Sequence, residues 1–175
     1  MPAELIPLHP VDVPVALRLA ESPEPSYQTI SSDLGISTST AHAAVARLQD
    51  AGLVRPGTKS VNWYALREFL EHGLRYAFPA RPGEQVRGVP TAHAGPPLAR
   101  HILADDAFVW RSADSPVLGQ EIAPLYPQAA ELPNRRPSLY ELLTLADALR
   151  VGRSRERSRA IEELERRLGY GSRAA

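Results

Sequence analysis

Ser37, Thr38, Ser39 and Thr40 form an unbroken run of hydroxyl side chains just behind Gly35 and Ile36. The apolar positions Ala41, Ala44, Val45 and Leu48 follow at helical spacing. Gly tolerates the left-handed conformation past a helix end, and Ser or Thr accepts from the free N–H groups of a new first turn. Those same N–H groups, with the helix dipole, favour a phosphate, so the run either caps a helix or helps bind an anion. On a wheel of about 100° per residue the four apolar positions share one face. Ser39, His42, Ala43, Ala46 and Asp50 point the other way, with Arg47 on a flank. His42 is either an idle surface residue or a donor and acceptor at a base edge, and Ala43 and Ala46 let a ligand backbone come close. Arg47 suits a phosphate or a guanine, and Arg55 and Lys59 flank a Pro56-Gly57 tip just downstream.

Other chemistries find little support. No G-x-S-x-G, G-x-G-x-x-G or P-loop pattern is present, so no catalytic residue is assigned and no enzymatic activity is expected. His93, His101, Asp105 and Asp106 are close in sequence but match no ligand spacing, and the chain has no Cys, so neither a metal nor a cofactor is expected.

The elements that must position the hydroxyl run read as follows. A first helix covers Pro10 to Ala20, with Val13, Leu17 and Ala20 at helical spacing. Ser26 caps a second, which turns Ile30 and Leu34 inward and stops at Gly35. The third runs from the hydroxyls to about Ala51, with Gly52 as its stop. "LVRPGTKSVNWYAL" then reads as strand, tight turn, strand, and a further helix occupies about Leu66 to Phe78.

Helix, helix, Gly turn, helix, hairpin resembles the winged helix-turn-helix domain of bacterial transcription regulators of the MarR, IclR and ArsR kind. The resemblance covers residues of about 10–78 and rests on "ISSDLGISTSTAHAAVARLQDAGLV". It implies a homodimeric, cytoplasmic regulator of transcription bound to double-stranded DNA, with the third helix in the major groove and the hairpin on the backbone. Ser37, Thr38, Ser39, Thr40, His42, Ala43, Arg47, Arg55 and Lys59 are then the expected DNA contacts. A repressor is the simpler form, because steric blocking needs fewer parts than activation. The same fold also serves as a protein-interaction module, such as an antitoxin or adaptor, which can repress its own operon as well.

Residues 79–100 are rich in Pro and Gly, which argues against a continuous helix or central strand and suggests a linker between residues 1–78 and 101–175. Within it "RGVPTAHAGPPL" reads as a stiff connector or as a partner-docking segment using Arg87, His93 and Leu98. Phe108 to Arg111 and Val117 to Ile122 look strand-like around "SADSP". Ser138 with Glu141 suggests a capping box, opening a helix through Leu149. Ser154 starts a last helix carrying Ile161, Leu164 and Leu168, with Glu162–Arg166 and Glu163–Arg167 as i,i+4 pairs. The resulting fold is mainly α with a small β wing, plus a C-terminal α(+β) region whose helical hairpin closes its own domain, pairs two subunits or meets a partner protein.

Charge tempers the DNA reading. Residues 1–80 hold six basic and eight acidic side chains, and the whole chain is neutral, so any contact must rest on a local patch. The N-terminus lacks a basic region followed by an apolar segment, so no secretory signal is expected, and no apolar run suggests a membrane span.

Overall fold

The computed structural model describes residues 3–169; the ends of the 1–78 and 101–175 segments, residues 1–2 and 170–175, lie outside it. The chain is mainly helical, with one small three-stranded sheet. Helix α1 (Asp12–Glu21) is buried from Asp12 through Ala20. An element apolar almost all round belongs inside, and its three charges are paired: Asp12 with Arg47, Arg18 with Asp33 and Glu21 with Arg136. Helix α2 (Tyr27–Leu34) starts at Ser26, whose Oγ accepts from the Thr29 N–H at 3.0 Å, and ends at Gly35 with φ of 70°. Only Gly adopts that angle at little cost, and it turns the chain into α3 (Thr38–Asp50). Helices α2 and α3 both pack on α1, through Ile30, Leu34, Ala41, Ala44, Val45 and Leu48.

The expected hairpin after α3 shrinks to a single bridge, Val54 to Val61, around a Pro56-Gly57 turn. Thr58 Oγ1 donates to the Arg55 carbonyl and accepts from the Ser60 N–H, closing the loop on itself. The chain then enters α4 (Trp63–Glu68) three residues earlier than expected, because Asn62 caps it. A π turn (Phe69–Gly73) joins α4 to α5 (Leu74–Ala77).

The expectation that residues 79–100 hold no central strand is corrected. Gln85–Thr91 forms β1, which pairs antiparallel with both β2 (Phe108–Arg111) and β3 (Leu118–Glu121). β2 and β3 pair in parallel through Phe108–Gln120 and Val109–Glu121, which closes a small barrel. Pro90 lacks only an N–H; its carbonyl accepts from the Tyr140 hydroxyl at 2.6 Å. Gly88 is required by close approach, since a Cβ there would stand 2.2 Å from the Trp110 carbonyl oxygen. The residues that looked like strand breakers are the ones this tight sheet needs.

Short α6 (Leu132–Arg135) leads into α7 (Pro137–Val151), the second central helix, buried along most of its length. The expected capping box is absent: α7 begins at Pro137, and Glu141 pairs with Arg167. At the far end of α7, Asp147 is fully buried and accepts from Thr91 Oγ1 and Trp110 Nε1, each at 2.7 Å. Arg150 pairs with it at 2.7 Å and donates to the Phe78 and Ala123 carbonyls, so one cluster joins α5, the sheet and α7. Burial pushes the Asp147 carboxyl upward from its ordinary pKa, against the opposing pull of Arg150 and the two donors.

Helix α8 (Ser154–Leu168) packs back on α7, completing the expected helical hairpin. Its start uses Glu156, which accepts from the Arg153 N–H at 2.9 Å, rather than a Ser154 cap. The Glu163–Arg167 pair forms at 3.7 Å; Arg166 turns to Glu163 instead of Glu162. Ile161, Leu164 and Leu168 are buried, lining one narrow cleft with Trp63, Leu66 and Leu70 of α4 and the π turn. The apolar face of the hairpin is therefore packed inside the chain.

Candidate nucleic-acid interface

Helix α3 presents Ser39, His42, Ala43, Ala46 and Asp50 to solvent, the same five positions that the wheel turns outward. Of these, His42 is stacked against the Tyr27 ring of α2. The small side chains at Ala43 and Ala46 leave the middle of this face low, so a duplex edge can approach the helix backbone.

At its N-terminal end Ser37 acts as the cap: its Oγ accepts from the Thr40 N–H at 3.0 Å. The Ser39 and Thr40 hydroxyls lie 3.0 and 2.8 Å from the same atom. The run forms one capping hydroxyl cluster, of which Thr38 is an exposed edge.

His42 stacks on Tyr27, with ring centroids 3.4 Å apart and 24° between planes. Lys59 Nζ sits 4.9 Å from the centre of the same Tyr27 ring. A cation on an aromatic face is held by the ring quadrupole. The first residue of α2 thereby ties the helix to the following loop. Gln49 adds a second tie, donating to the Thr58 carbonyl at 2.5 Å. Arg55 is exposed at the base of that loop, and among the described residues neither it nor Lys59 is ion-paired.

Arg47 does not join this surface. Its Nη2 lies 2.6 Å from Asp12 Oδ1 and its Nε 2.9 Å from Oδ2, a fork-to-fork pair whose hydrogen bonding raises the guanidinium pKa further. Asp12 is 1% exposed. Turning Arg47 outward would leave that carboxylate buried and unpaired, so the expected DNA contact becomes a strut between α3 and α1.

Half of the eight acidic side chains of this half are taken up in ion pairs with arginine. Asp12, Glu21, Asp33 and Glu71 each pair with an arginine. What remains on the outer face is Asp50 at the C-terminal end of α3, against Arg55, Lys59 and His42. The patch is weakly basic.

Two further groups border the helix start. Arg135 of α6 lies over the α2–α3 turn: it donates to the Ser32 carbonyl at 3.2 Å, and a Cβ on Gly35 would come within 3.1 Å of its guanidinium. A cleft of about 520 Å³ runs between His9–Val11, the turn with Ser37 and Thr40, and Leu125–Gln128. Beside it the Tyr126 hydroxyl is buried with no hydrogen-bond partner, and burial raises its pKa.

The proposed docking residues do not form one surface. Arg87 is exposed on β1, whereas His93 is 4% and Leu98 0% exposed. His93 Nε2 lies 2.9 Å from the Asp106 carbonyl oxygen, and its ring meets Phe108 edge-on. Among the described residues no group of three or more His, Cys, Asp or Glu is placed to hold a metal, and no helix is long and apolar enough to cross a membrane.

Compared with known proteins, the chain matches no family model, no curated protein and no solved structure. Sequence reasoning missed Tyr27, Asp12, Gln49 and Arg135. Each acts across 9 to 103 positions of chain, beyond the reach of any local spacing rule. The one available signal was Asp12 itself, a charge placed at the start of an otherwise apolar helix.

Proposed function

We propose that this protein is a sequence-specific regulator that binds double-stranded DNA in the manner of a winged helix-turn-helix domain, as a dimeric cytoplasmic repressor. The observation that carries this reading is the exposed outer face of α3, small in the middle and flanked by paired aromatic and cationic groups. In the major groove, His42 and Ser39 meet base edges, and Ala43 and Ala46 allow close approach. Ser37, Thr38 and Thr40 at the helix start face a phosphate, and Arg55 and Lys59 grip the backbone alongside.

With Arg47 withdrawn, two cations remain per subunit. A dimer using all four on phosphates gives a slope of log affinity against log salt of about −4. That is a shallow dependence, consistent with a neutral chain. Repression follows as the simplest consequence, since occupying a promoter blocks it without further contacts.

The test is a mobility shift at fixed salt with the Ala43→Glu variant. A carboxylate in the centre of the face should abolish binding while the melting temperature holds. Equal binding by variant and parent would remove α3 from the interface.

A further inference from the structure

Tyr64, Glu68, His72 and Tyr76 are exposed at four-residue steps along α4, the π turn and α5. The two tyrosines stay 70% and 76% exposed, while Leu66, Leu70 and Leu74 bury the other side. Four-residue steps on a regular α-helix drift by about 40° each. The π turn at Phe69–Gly73 puts an extra residue into one turn, which takes back part of that drift and keeps the four side chains in line.

The order Tyr, Glu, His, Tyr is its own complement when read backwards. A two-fold axis midway along the stripe, at the level of Leu70, sets Tyr64 against Tyr76 of a second copy and Glu68 against His72 of that copy. Each contact then occurs twice, as a symmetric interface requires. Glu68 has no ion-pair partner among the described residues. His72 Nε2 is 3.6 Å from the Glu71 carboxylate, which Arg67 already holds at 2.5 Å. Arg75 lies over its neighbour Tyr76, 5.5 Å from the ring centre, stiffening that ring.

We propose that this face is where two copies of the chain meet, with their α4–α5 segments antiparallel. The occupant is a second copy because a two-fold mate presents a ring to each tyrosine and an imidazole N–H to each Glu68 carboxylate. The stripe is about 18 Å long. One helix face buries less than the roughly 1,200 Å² of a standard interface, so the dimer belongs to the weak, micromolar class. The apolar face of the α8 hairpin is packed inside the chain.

The experiment is sedimentation equilibrium of the full chain without DNA, over roughly 10 to 500 µM, a range that brackets micromolar dissociation constants. Its result is therefore separate from the DNA reading. The parent should show a monomer–dimer equilibrium. Glu68→Lys removes the acceptor for the His72 ring N–H, and His72→Glu opposes carboxylates, so each alone should weaken the dimer at least about tenfold. Combined in one chain, or mixed as two single variants, the substitutions restore opposite charges across the axis and should recover parental association. All four positions are solvent-exposed, so unchanged thermal melting separates lost pairing from lost folding. A monomeric parent at the highest concentration, a dimer insensitive to both single changes, or failure of the mixture to recover would each overturn the proposal.

Discussion

The Arg47 guanidinium is locked onto the buried Asp12 carboxylate, 35 residues away, by two hydrogen bonds of 2.6 and 2.9 Å. The pair fixes the tilt of α3 against α1, and hence the attitude of the outer face. Its loss is a stability effect. Arg47→Ala should cost about 3 kcal/mol, the order found when one partner of a buried pair is removed. In a chain of this size that lowers the melting temperature by about 6–12 °C. The double variant Arg47→Met with Asp12→Leu should recover most of it, because no unpaired charge remains. Calorimetry reads both. A full loss of DNA binding in Arg47→Ala with unchanged melting would return Arg47 to the interface.

On the proposed reading, Lys59 and Arg55 make the backbone contact. Lys59→Ala or Arg55→Ala should weaken binding evenly across sequences, and in a dimer each should reduce the salt slope by about 2. Lys59→Ala should also loosen the His42 stack on Tyr27 and so blur base preference, which Arg55→Ala leaves intact. Titrations at several salt concentrations on two unrelated duplexes separate these effects.

The helices of this half were legible because each signal was local. Gly35, Ser26 and the hydroxyl run mark caps within a few residues, and the apolar positions of α3 repeat at helical spacing. The β2 and β3 segments were visible as short strand-like pieces around the turn signal "SADSP". β1 was not, because Pro90 and Gly88 read as breakers until the Tyr140 hydroxyl and the Trp110 backbone are known to lie against them. In the site, the outward face of α3 could be read from periodicity, but the fate of Arg47 could not. Whether an arginine faces solvent or a buried acid depends on a partner brought in by the fold.

Tyr126 buries a hydroxyl without a partner. An unsatisfied buried polar atom costs roughly 1–3 kcal/mol, so Tyr126→Phe should raise stability by about 1 kcal/mol, allowing for the small space left behind. Urea unfolding tests this. A destabilised variant would mean that the hydroxyl is satisfied in solution.

Glu163 gives the C-terminal hairpin a pH signature. Burial acts to raise its pKa, but Arg166, Arg159 and Arg167 outweigh it and hold the carboxyl below the ordinary value. A group depressed in the folded state contributes stability above its unfolded pKa of about 4.3 and loses it as pH falls through the folded value. The parent should therefore exceed Glu163→Gln in stability by a constant margin from neutral pH to about 5, and the margin should shrink below about 4.3. Urea midpoints across that range check it; a margin that stays flat to the lowest pH would deny the depressed pKa.

His42 and Ser39 are the base-reading candidates. His42→Ala should relax preference at one or two positions of the site, costing about 1–3 kcal/mol on the preferred sequence and little elsewhere. An even loss across all sequences would instead make His42 a backbone contact.

Selection of bound fragments from a pool of random duplex DNA bears most directly on α3 as a reading helix. Enrichment of one motif with two-fold symmetry, bound roughly a thousandfold more tightly than scrambled duplex at physiological salt, is the outcome expected of it. A pool that stays unenriched, with the Ala43→Glu variant retaining the same weak affinity as the parent, would contradict it.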